Sequence, residues 1–88
     1  MRVEFRRSFV KDLERVRDRR LKERVRRVIE RLEAAETLQE VEGVKRLRGG
    51  EGYYRIRIGD HRLGLVLEGE KVVLVRFLHR KDVYRYFP

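Results

Sequence analysis

Residues 53–62 read YYRIRIGDHR, and they decide how the C-terminal half of the chain folds. Alternating apolar and polar residues are typical of a β-strand with one buried face, and Gly59-Asp60 is typical of a two-residue hairpin turn. Such a turn places Arg57 directly opposite Arg62 on one face of the hairpin. Like charges at that spacing destabilise a sheet. The stretch therefore predicts a hairpin and suggests that the paired arginines have a function.

The composition describes a short and strongly basic chain. Its 88 residues include 24 Lys and Arg against 15 Asp and Glu, which gives a formal net charge of +9. A chain of this length has room for one core, so we expect a single domain over residues 1–88. The charge favours a polyanionic partner, either nucleic acid or an acidic protein segment. A heavily charged, heat-adapted surface is the alternative interpretation.

Cysteine and long apolar runs are both missing from the sequence. Without cysteine, the chain can form neither disulfides nor thiolate metal sites. No run approaches the roughly 18 apolar residues of a membrane span, and MRVEFRRSF lacks the apolar stretch of a signal peptide. We therefore expect a soluble, cytoplasmic protein that does not bind membranes.

Apolar periodicity predicts two helices near the N-terminus. MRVEFR (1–6) is typical of a short strand, and Ser8 is a candidate N-cap for a first helix. RDRR (17–20) interrupts the apolar stripe, which restarts at Leu21 in a longer second helix. TLQE (37–40) matches a capping box and predicts one further helical turn.

The remaining sequence predicts strands. A short strand is expected in VKRLRGGEG (44–52), followed by strands at about 53–58, 62–67 and 72–79. Apart from the short strand at 44–52, the order is β-α-α-β-β-β, and it predicts an α+β domain with the two N-terminal helices packed on one face of a mainly antiparallel sheet.

The second hairpin, around EGEK (68–71), determines which residues of the last strand are buried. A loop of two or four residues would pair Leu63 with Arg76 and bury an unpaired charge, at a cost of several kcal/mol. A loop of three residues would pair Leu63 with Phe77 instead, and we predict this loop. The predicted core of the sheet consists of Ile56, Ile58, Leu63, Leu65, Val73, Val75 and Phe77.

The opposite face of the predicted sheet collects positive charge. No Asp or Glu lies in these strand bodies to neutralise it, and Gly64 leaves room for a shallow groove. Concentrated positive charge costs stability and attracts a polyanion, although a solvated basic surface is the alternative. We call this surface the arginine face; it consists of Arg55, Arg57, Arg62, Arg76 and, if the last strand continues, Arg80.

Three segments carry a family resemblance: VKRLRG (44–49), YYRIRIGDHRLG (53–64) and FLHRKDVYRYFP (77–88). Together with strand order and length, they resemble the RelE/ParE superfamily of bacterial and archaeal toxin–antitoxin toxins. The resemblance to its RelE-like branch implies a small endoribonuclease that cuts messenger RNA at the ribosome. It also implies a cognate antitoxin that wraps an extended acidic or amphipathic segment around the toxin.

The resemblance also implies roles for individual residues. Arg62 and Arg80 match positions expected to hold the scissile phosphate, and Tyr84 matches the tyrosine of the terminal segment. Arg55 and Arg57 match the basic positions that face the substrate. The arginine face adds Arg76 to these RNA-binding candidates.

The general base is the part of the implied site that the sequence defines least. The family often has lysine where this chain has Arg55 and Arg57, and arginine hardly deprotonates. Tyr84 is therefore a candidate base, or else a residue that caps the edge of the core. His79 is a second candidate, although its strand parity directs it away from the arginine face, and His61 is expected to be exposed at a turn. Attack by a 2′-hydroxyl needs no metal, and we expect neither a metal nor another cofactor.

Two other functions remain open from the sequence. A ParE-like toxin would bind and poison DNA gyrase without cutting nucleic acid. That branch commonly lacks the terminal basic-plus-tyrosine pair that Arg80 and Tyr84 provide here, which favours the nuclease. A catalytically weak relative that binds RNA or its antitoxin is the third possibility, because arginine replaces lysine in the strand.

Overall fold

A computed structural model describes the whole chain, residues 1–88, as a five-stranded sheet with two N-terminal helices. The helices are α1 (Arg7–Glu14), α2 (Arg19–Ala34) and a short C-terminal α3 (Val83–Tyr86), with a 3₁₀ turn at Leu38–Glu40. The strands are β1 (Arg2–Phe5), β2 (Val44–Arg46), β3 (Tyr53–Ile58), β4 (His61–Glu68) and β5 (Lys71–His79).

The strands are arranged in the order β1-β5-β4-β3-β2. β1 runs parallel to β5, and every other neighbouring pair is antiparallel. The predicted α+β class and mainly antiparallel sheet are therefore confirmed. None of the helices combines the length and the apolar character that crossing a membrane requires.

The two N-terminal helices begin for different reasons. Asp18 caps α2, because its carboxylate accepts hydrogen bonds from the backbone N–H groups of Arg20 (2.9 Å) and Leu21 (3.2 Å). The predicted interruption is therefore present, but it covers residues 15–18, and Arg19 and Arg20 already belong to α2. The prediction that Ser8 is the N-cap of α1 is wrong. It lies in the first turn, and its hydroxyl donates a hydrogen bond to the carbonyl of Val75 in β5.

The main core lies between α1, α2 and one face of the sheet. It holds residues from both helices, from the 3₁₀ turn and from β3, β4 and β5, so the predicted packing of the helices on the sheet is confirmed. Its thirteen buried members are Phe9, Val25, Val28, Leu32, Leu38, Val41, Ile56, Ile58, Leu63, Leu65, Val72, Leu74 and Phe77.

The first hairpin has the predicted register. Arg57 pairs with Arg62, and Arg55 pairs with Gly64, across a turn made by Gly59-Asp60. Gly59 has a φ of +59°, which L-residues with a side chain rarely adopt.

The second hairpin differs from the prediction, because its loop has two residues and not three. Glu68 pairs with Lys71 across Gly69-Glu70. The pairing then shifts by one residue between Gly64 and Leu65, so that Val75 becomes the extra residue of a β-bulge in β5. Beyond the bulge, Leu63 pairs with Phe77, as predicted. The bulge, and not the length of the loop, therefore keeps the charge of Arg76 out of the core.

The bulge also corrects the predicted core. Five of its seven residues belong to the main core, but Val73 and Val75 do not. Val73 is buried on the opposite face, because the short loop gives the first half of β5 the opposite parity. Val75 is only half-buried at the bulge.

The C-terminal segment covers the middle of that opposite face. Val83 and Phe87 are buried, and the Phe87 ring packs edge-on against Tyr53 with 5.7 Å between the centroids. A Cβ on Gly64 would lie 2.6 Å from Cδ2 of Phe87, so the ring occupies the space that glycine leaves. The shallow groove predicted at Gly64 is therefore filled by the chain's own terminus.

Candidate nucleic-acid interface

The Arg57–Arg62 pair lies next to the turn between β3 and β4. Arg62 folds back over the turn, where its Nη1 donates to the carbonyls of Gly59 (3.0 Å) and His61 (2.9 Å). Arg57, directly opposite, is exposed. Neither guanidinium lies within salt-bridge distance of a carboxylate, so both charges remain available to a ligand.

Arg80 lies at the same end of the sheet as this pair. Its backbone N–H donates to the carbonyl of Asp60 at 2.8 Å, so the pairing of β4 with β5 continues one residue past His79. Because Leu78 pairs with Arg62, Arg80 follows two residues later on the same side of the sheet. Its side chain is exposed and forms no ion pair. The structure therefore brings Arg62 and Arg80 to one end of the arginine face.

Tyr84 stands on the outside of α3. The preceding Val83 is fully buried and anchors this short helix to the sheet, whereas Tyr84 is 60% exposed. Its hydroxyl makes no hydrogen bond within the chain, and its ring does not cap the core. The hydroxyl is therefore accessible to a ligand from solvent.

Arg76 is held differently from the other arginines of this face. Its Nε and Nη2 donate to the two carboxylate oxygens of Asp12 at 2.7 and 3.1 Å. Asp12 is only 6% exposed and also accepts the backbone N–H of Phe77 at 2.9 Å. The hydrogen bond to Asp12 raises the pKa of Arg76 above its ordinary value. The expectation that no acid neutralises the face is therefore wrong at this residue.

The sequence contains a signal for the Asp12–Arg76 pair that the alternation of residues along the strands does not reveal. Asp12 lies beside Leu13 and three residues after Phe9, within the apolar stripe of α1. A charged residue in such a stripe is almost never buried without a partner. The second contact of Arg76 is with Tyr86, whose ring centroid lies 5.6 Å from the guanidinium carbon. Arg76 thus links α1 to the C-terminal segment.

Arg55 lies nearer to β2. Its Nη1 donates to the carbonyl of Gly43 at 3.0 Å, and its Nε is buried without a hydrogen-bond partner. A buried unpaired donor costs about 1–3 kcal/mol, so this position carries a stability cost.

The two histidines lie on the helix side of the sheet, opposite Arg62. They pair across β4 and β5 with 5.5 Å between ring centroids, and the His61 ring stacks on Phe77 at 5.0 Å. His61 is half-buried, although the sequence predicted an exposed residue. Burial, and then the proximity of His79, lower the pKa of His61 below its ordinary value. His79 accepts the Lys81 backbone N–H on its Nδ1 at 3.1 Å.

A cluster of arginines from α2 lies beside Arg57, and the sequence did not indicate a role for it. Arg24, Arg27 and Arg31 project from one face of α2 and line a cleft with Arg57, Glu42 and the two glycines at positions 43 and 59. We call it the arginine cleft. The periodic arginines of α2 were the sequence signal, but only the structure shows that they approach the sheet. No group of three or more His, Cys, Asp or Glu is placed to hold a metal ion.

Comparisons with known proteins agree on the family. Residues 3–84 match the model of the ParE toxin of the type II toxin–antitoxin system, parDE. Toxin RelE3 of Methanocaldococcus jannaschii is 37% identical over 89 residues, with both chains covered completely.

Two solved structures have the same fold over nearly the whole chain. The RelB-RelE antitoxin-toxin complex from Methanococcus jannaschii matches with a TM-score of 0.83 and 35% identity, covering 97% of this chain and 99% of that one. The archaeal RelE-RelB complex from Pyrococcus horikoshii OT3 matches with a TM-score of 0.74 and 22% identity, covering 93% and 97%. The chain therefore belongs to the ParE toxin family and is a toxin of the RelE/ParE superfamily of type II toxin–antitoxin systems.

Proposed function

We propose that this toxin is an endoribonuclease that cuts messenger RNA at the ribosome, in the cytoplasm, without a metal. The observation that carries the proposal is the pair Arg62 and Arg80. These two arginines lie on the same side at one end of the sheet without a carboxylate partner, whereas Arg76 on the same face has one. The 37% identity to a protein named RelE supports the same direction.

The proposed reaction is an internal displacement at phosphorus. The ribose 2′-oxygen loses its proton and forms a bond to phosphorus. The bond from phosphorus to the 5′-oxygen breaks as that oxygen gains a proton from solvent, which leaves a 2′,3′-cyclic phosphate and a free 5′-hydroxyl. Arg62 and Arg80 bind the non-bridging oxygens and stabilise the charge that develops on them. Tyr84, as its phenolate, takes the proton from the 2′-hydroxyl and becomes the phenol; its hydroxyl is exposed and unpaired within the chain. Arg55 and Arg57 bind the neighbouring backbone, with Arg76 as a further RNA-binding candidate.

Primer extension on a translated message, after brief induction of the toxin, tests this proposal. We expect new 5′ ends within the reading frame for the wild type. Removal of one donor to a transition-state oxyanion typically lowers the rate on the order of 10²–10³-fold. Arg62→Ala and Arg80→Ala should therefore lose the cuts and the toxicity. The exposed Arg17→Ala, which lies between the helices, is the charge-matched control and should keep both.

Two substitutions at Tyr84 separate chemistry from packing. Tyr84→Phe keeps the ring and removes the hydroxyl, so it should cleave as slowly as Tyr84→Ala. Full activity of Tyr84→Phe would show that the base lies elsewhere, and His79 would be the next residue to test. Cuts that appear only when the message is translated would indicate cleavage at the ribosome. Cuts that also appear in an untranslated message would indicate cleavage of free RNA.

We infer that the partner is a cognate antitoxin, as in the two RelE–RelB complexes. An acidic or amphipathic segment would cover the exposed arginines of the arginine face, since the C-terminal segment fills the groove at Gly64. Binding to the arginines should weaken as salt is raised. Co-purification with the product of the neighbouring gene tests this, and failure to co-purify at low salt would contradict it.

The family model also keeps gyrase binding as a second candidate, because it describes a ParE toxin over residues 3–84. A gyrase poison would inhibit supercoiling by purified DNA gyrase and leave messenger RNA intact. Primer extension without cuts, together with inhibited supercoiling, would replace the first proposal by this one.

A further inference from the structure

Beyond the residues assigned to cleavage, we propose that the arginine cleft binds backbone phosphates of the RNA on one side of the scissile bond. The inference rests on the proposed function and extends it to a second anion site. The site consists of Arg24, Arg27 and Arg31 on α2 and Arg57 on β3.

The cleft concentrates charge that the fold leaves unpaired. Four arginines border it, three from α2 and Arg57 from β3, against the single acidic residue Glu42, which forms no ion pair within 4 Å. Arg24, Arg31 and Arg57 form none either, and the one contact of Arg27 is with Glu23 at 3.9 Å. On the other side of α2, by contrast, Glu23 binds Arg26 through two hydrogen bonds at 2.6 and 3.1 Å.

The helix itself would be more stable without this arrangement. Arg27 and Arg31 are four residues apart, and so are Arg20 and Arg24. Like charges at that spacing face each other and destabilise a helix. A solvated helix face gains nothing from two such pairs, whereas a polyanion bound across the face neutralises both.

The floor of the cleft is open because glycines form it. The Nη1 of Arg24 lies 2.8 Å from the position that a Cβ on Gly59 would occupy, so the guanidinium lies directly over the hairpin turn. Gly43, with a φ of +85°, brings its carbonyl to the backbone N–H of Arg57 at 3.1 Å. No side chain at these two positions blocks the space between the helix and the strand.

Arg57 connects the cleft to the proposed cleavage site. It lines the cleft and also pairs directly with Arg62 across β3 and β4. Directly opposite residues have Cβ atoms about 5 Å apart, so a strand of RNA held at Arg62 reaches Arg57 next. From there, Arg24 and Arg31 extend the track by about 10 Å along α2, at 1.5 Å per residue.

This continuity favours RNA over an acidic peptide as the occupant. An RNA backbone carries a phosphate at every nucleotide and supplies charge along the whole track. A peptide would need acidic side chains in a matching order. Guanidinium forks bind phosphate oxygens through paired hydrogen bonds, which suits four arginines in an open cleft.

The test measures binding of a 2′-O-methylated single-stranded RNA by fluorescence anisotropy over a range of salt concentrations. The methyl group prevents 2′-hydroxyl attack, so binding is observed without cleavage. The test variant is Arg24→Gln with Arg31→Gln. The control variant is Arg19→Gln with Lys22→Gln, which removes the same charge from the opposite side of α2.

We expect the cleft variant to bind on the order of tenfold more weakly or worse, since hydrogen bonds to charged groups are lost. The slope of log K against log salt should become shallower by about 0.7 per phosphate contact removed. The control variant should lose much less affinity. Equal losses in both variants would overturn the second site, and so would a cleft variant that loses affinity for the antitoxin but not for RNA.

The outcome is separable from that of the proposed function. Primer extension with wild-type protein reports cleavage whether or not the cleft contributes. Normal cuts together with unchanged RNA binding in the cleft variant would remove the second site and leave the nuclease. Absence of cuts together with absence of RNA binding by the wild type would overturn both.

Discussion

Arg76 and Arg57 lie on the same face of the sheet, yet the protein holds their charges in opposite ways. Arg76 is fixed by the buried carboxylate of Asp12 and covered by the ring of Tyr86. Arg57 is exposed, lies opposite another arginine and has no acidic partner. One guanidinium fastens three elements of the fold together, and the other presents its charge to solvent.

The difference shows that residue type and strand parity do not assign a function. A buried carboxylate that loses its cation is strongly destabilising, so Asp12 and Arg76 depend on each other for the fold. An uncompensated surface charge costs stability and persists where a ligand neutralises it. The partner of each arginine therefore distinguishes the structural residue from the candidate functional ones.

Replacement of Asp12 should produce the largest loss of stability. Asp12→Ala leaves the Phe77 N–H and the Arg76 guanidinium without their acceptor and removes all but the Ser8–Val75 hydrogen bond between α1 and β5. We expect the free energy of unfolding to fall by about 3 kcal/mol, measured by urea denaturation. Glu14→Ala, at an exposed position of the same helix, is the control and should change it by less than about 0.5 kcal/mol. A similarly small effect of Asp12→Ala would show that the Asp12–Arg76 pair does not hold the fold together.

The packing of the C-terminus over the sheet gives the second prediction. A methyl group on Gly64 would overlap the ring of Phe87, because its carbon would lie 2.6 Å from Cδ2. Gly64→Ala should therefore destabilise the protein by about 2 kcal/mol through overpacking. Thermal or urea unfolding measures the change.

A double-mutant cycle isolates this contact. In a Phe87→Ala background the ring is absent, so the added methyl group at Gly64 should cost little. If Gly64→Ala is equally destabilising in both backgrounds, the cost comes from the strand and not from the terminus.

The sequence predicts the hairpin at residues 59–60 because a turn with glycine leaves few other registers. It does not predict the bulge at Val75, which depends on tertiary contacts. There the Ser8 hydroxyl binds the Val75 carbonyl, and Asp12 binds the N–H of Phe77 two residues later. Both partners come from α1, more than 60 residues earlier in the chain. Alternation along a strand carries no information about such contacts.

The candidate site was predictable to a similar extent. Strand parity placed Arg57 and Arg62 side by side, and the structure has this pair. The roles of Arg62, Arg80 and Tyr84 remain predictions that follow from the family resemblance. The pairing of Arg76 and the approach of α2 to the sheet could not be derived from parity, because both join elements that are distant in sequence.

Substitution of the two contrasted arginines should separate stability from binding. Arg57→Gln should leave the free energy of unfolding within about 0.5 kcal/mol of the wild type and weaken RNA binding several-fold, with a shallower salt slope. Arg76→Gln should lower stability, because it leaves Asp12 buried without its cation. Urea unfolding and fluorescence anisotropy on the same preparations check both. The opposite pattern, with a stable Arg76→Gln variant and an unstable Arg57→Gln variant, would reverse the assignment.

The smallest expected effect concerns His61, a titratable group that the fold keeps without an acidic hydrogen-bond partner. Burial against Phe77 lowers its pKa below the ordinary value of 6.5, and the positive charges of His79 and Arg62 act in the same direction. Asp60 and Asp18 oppose this shift. The unfolded chain therefore binds more protons than the folded one just below pH 6.5, and stability falls as the pH decreases through that range.

His61→Phe keeps a flat ring on Phe77 and removes the titration. We expect urea midpoints of the wild type to decrease between pH 7.5 and 5.5, and those of His61→Phe to decrease less over the same interval. The two proteins should be compared at each pH, since the mutation also changes the packing of the ring at every pH. Parallel curves for the two proteins would show that His61 is not the group responsible. The contrast with Asp12 would then weaken, because it rests on the difference between a buried group with three hydrogen bonds at its carboxylate and a half-buried imidazole without an acidic partner.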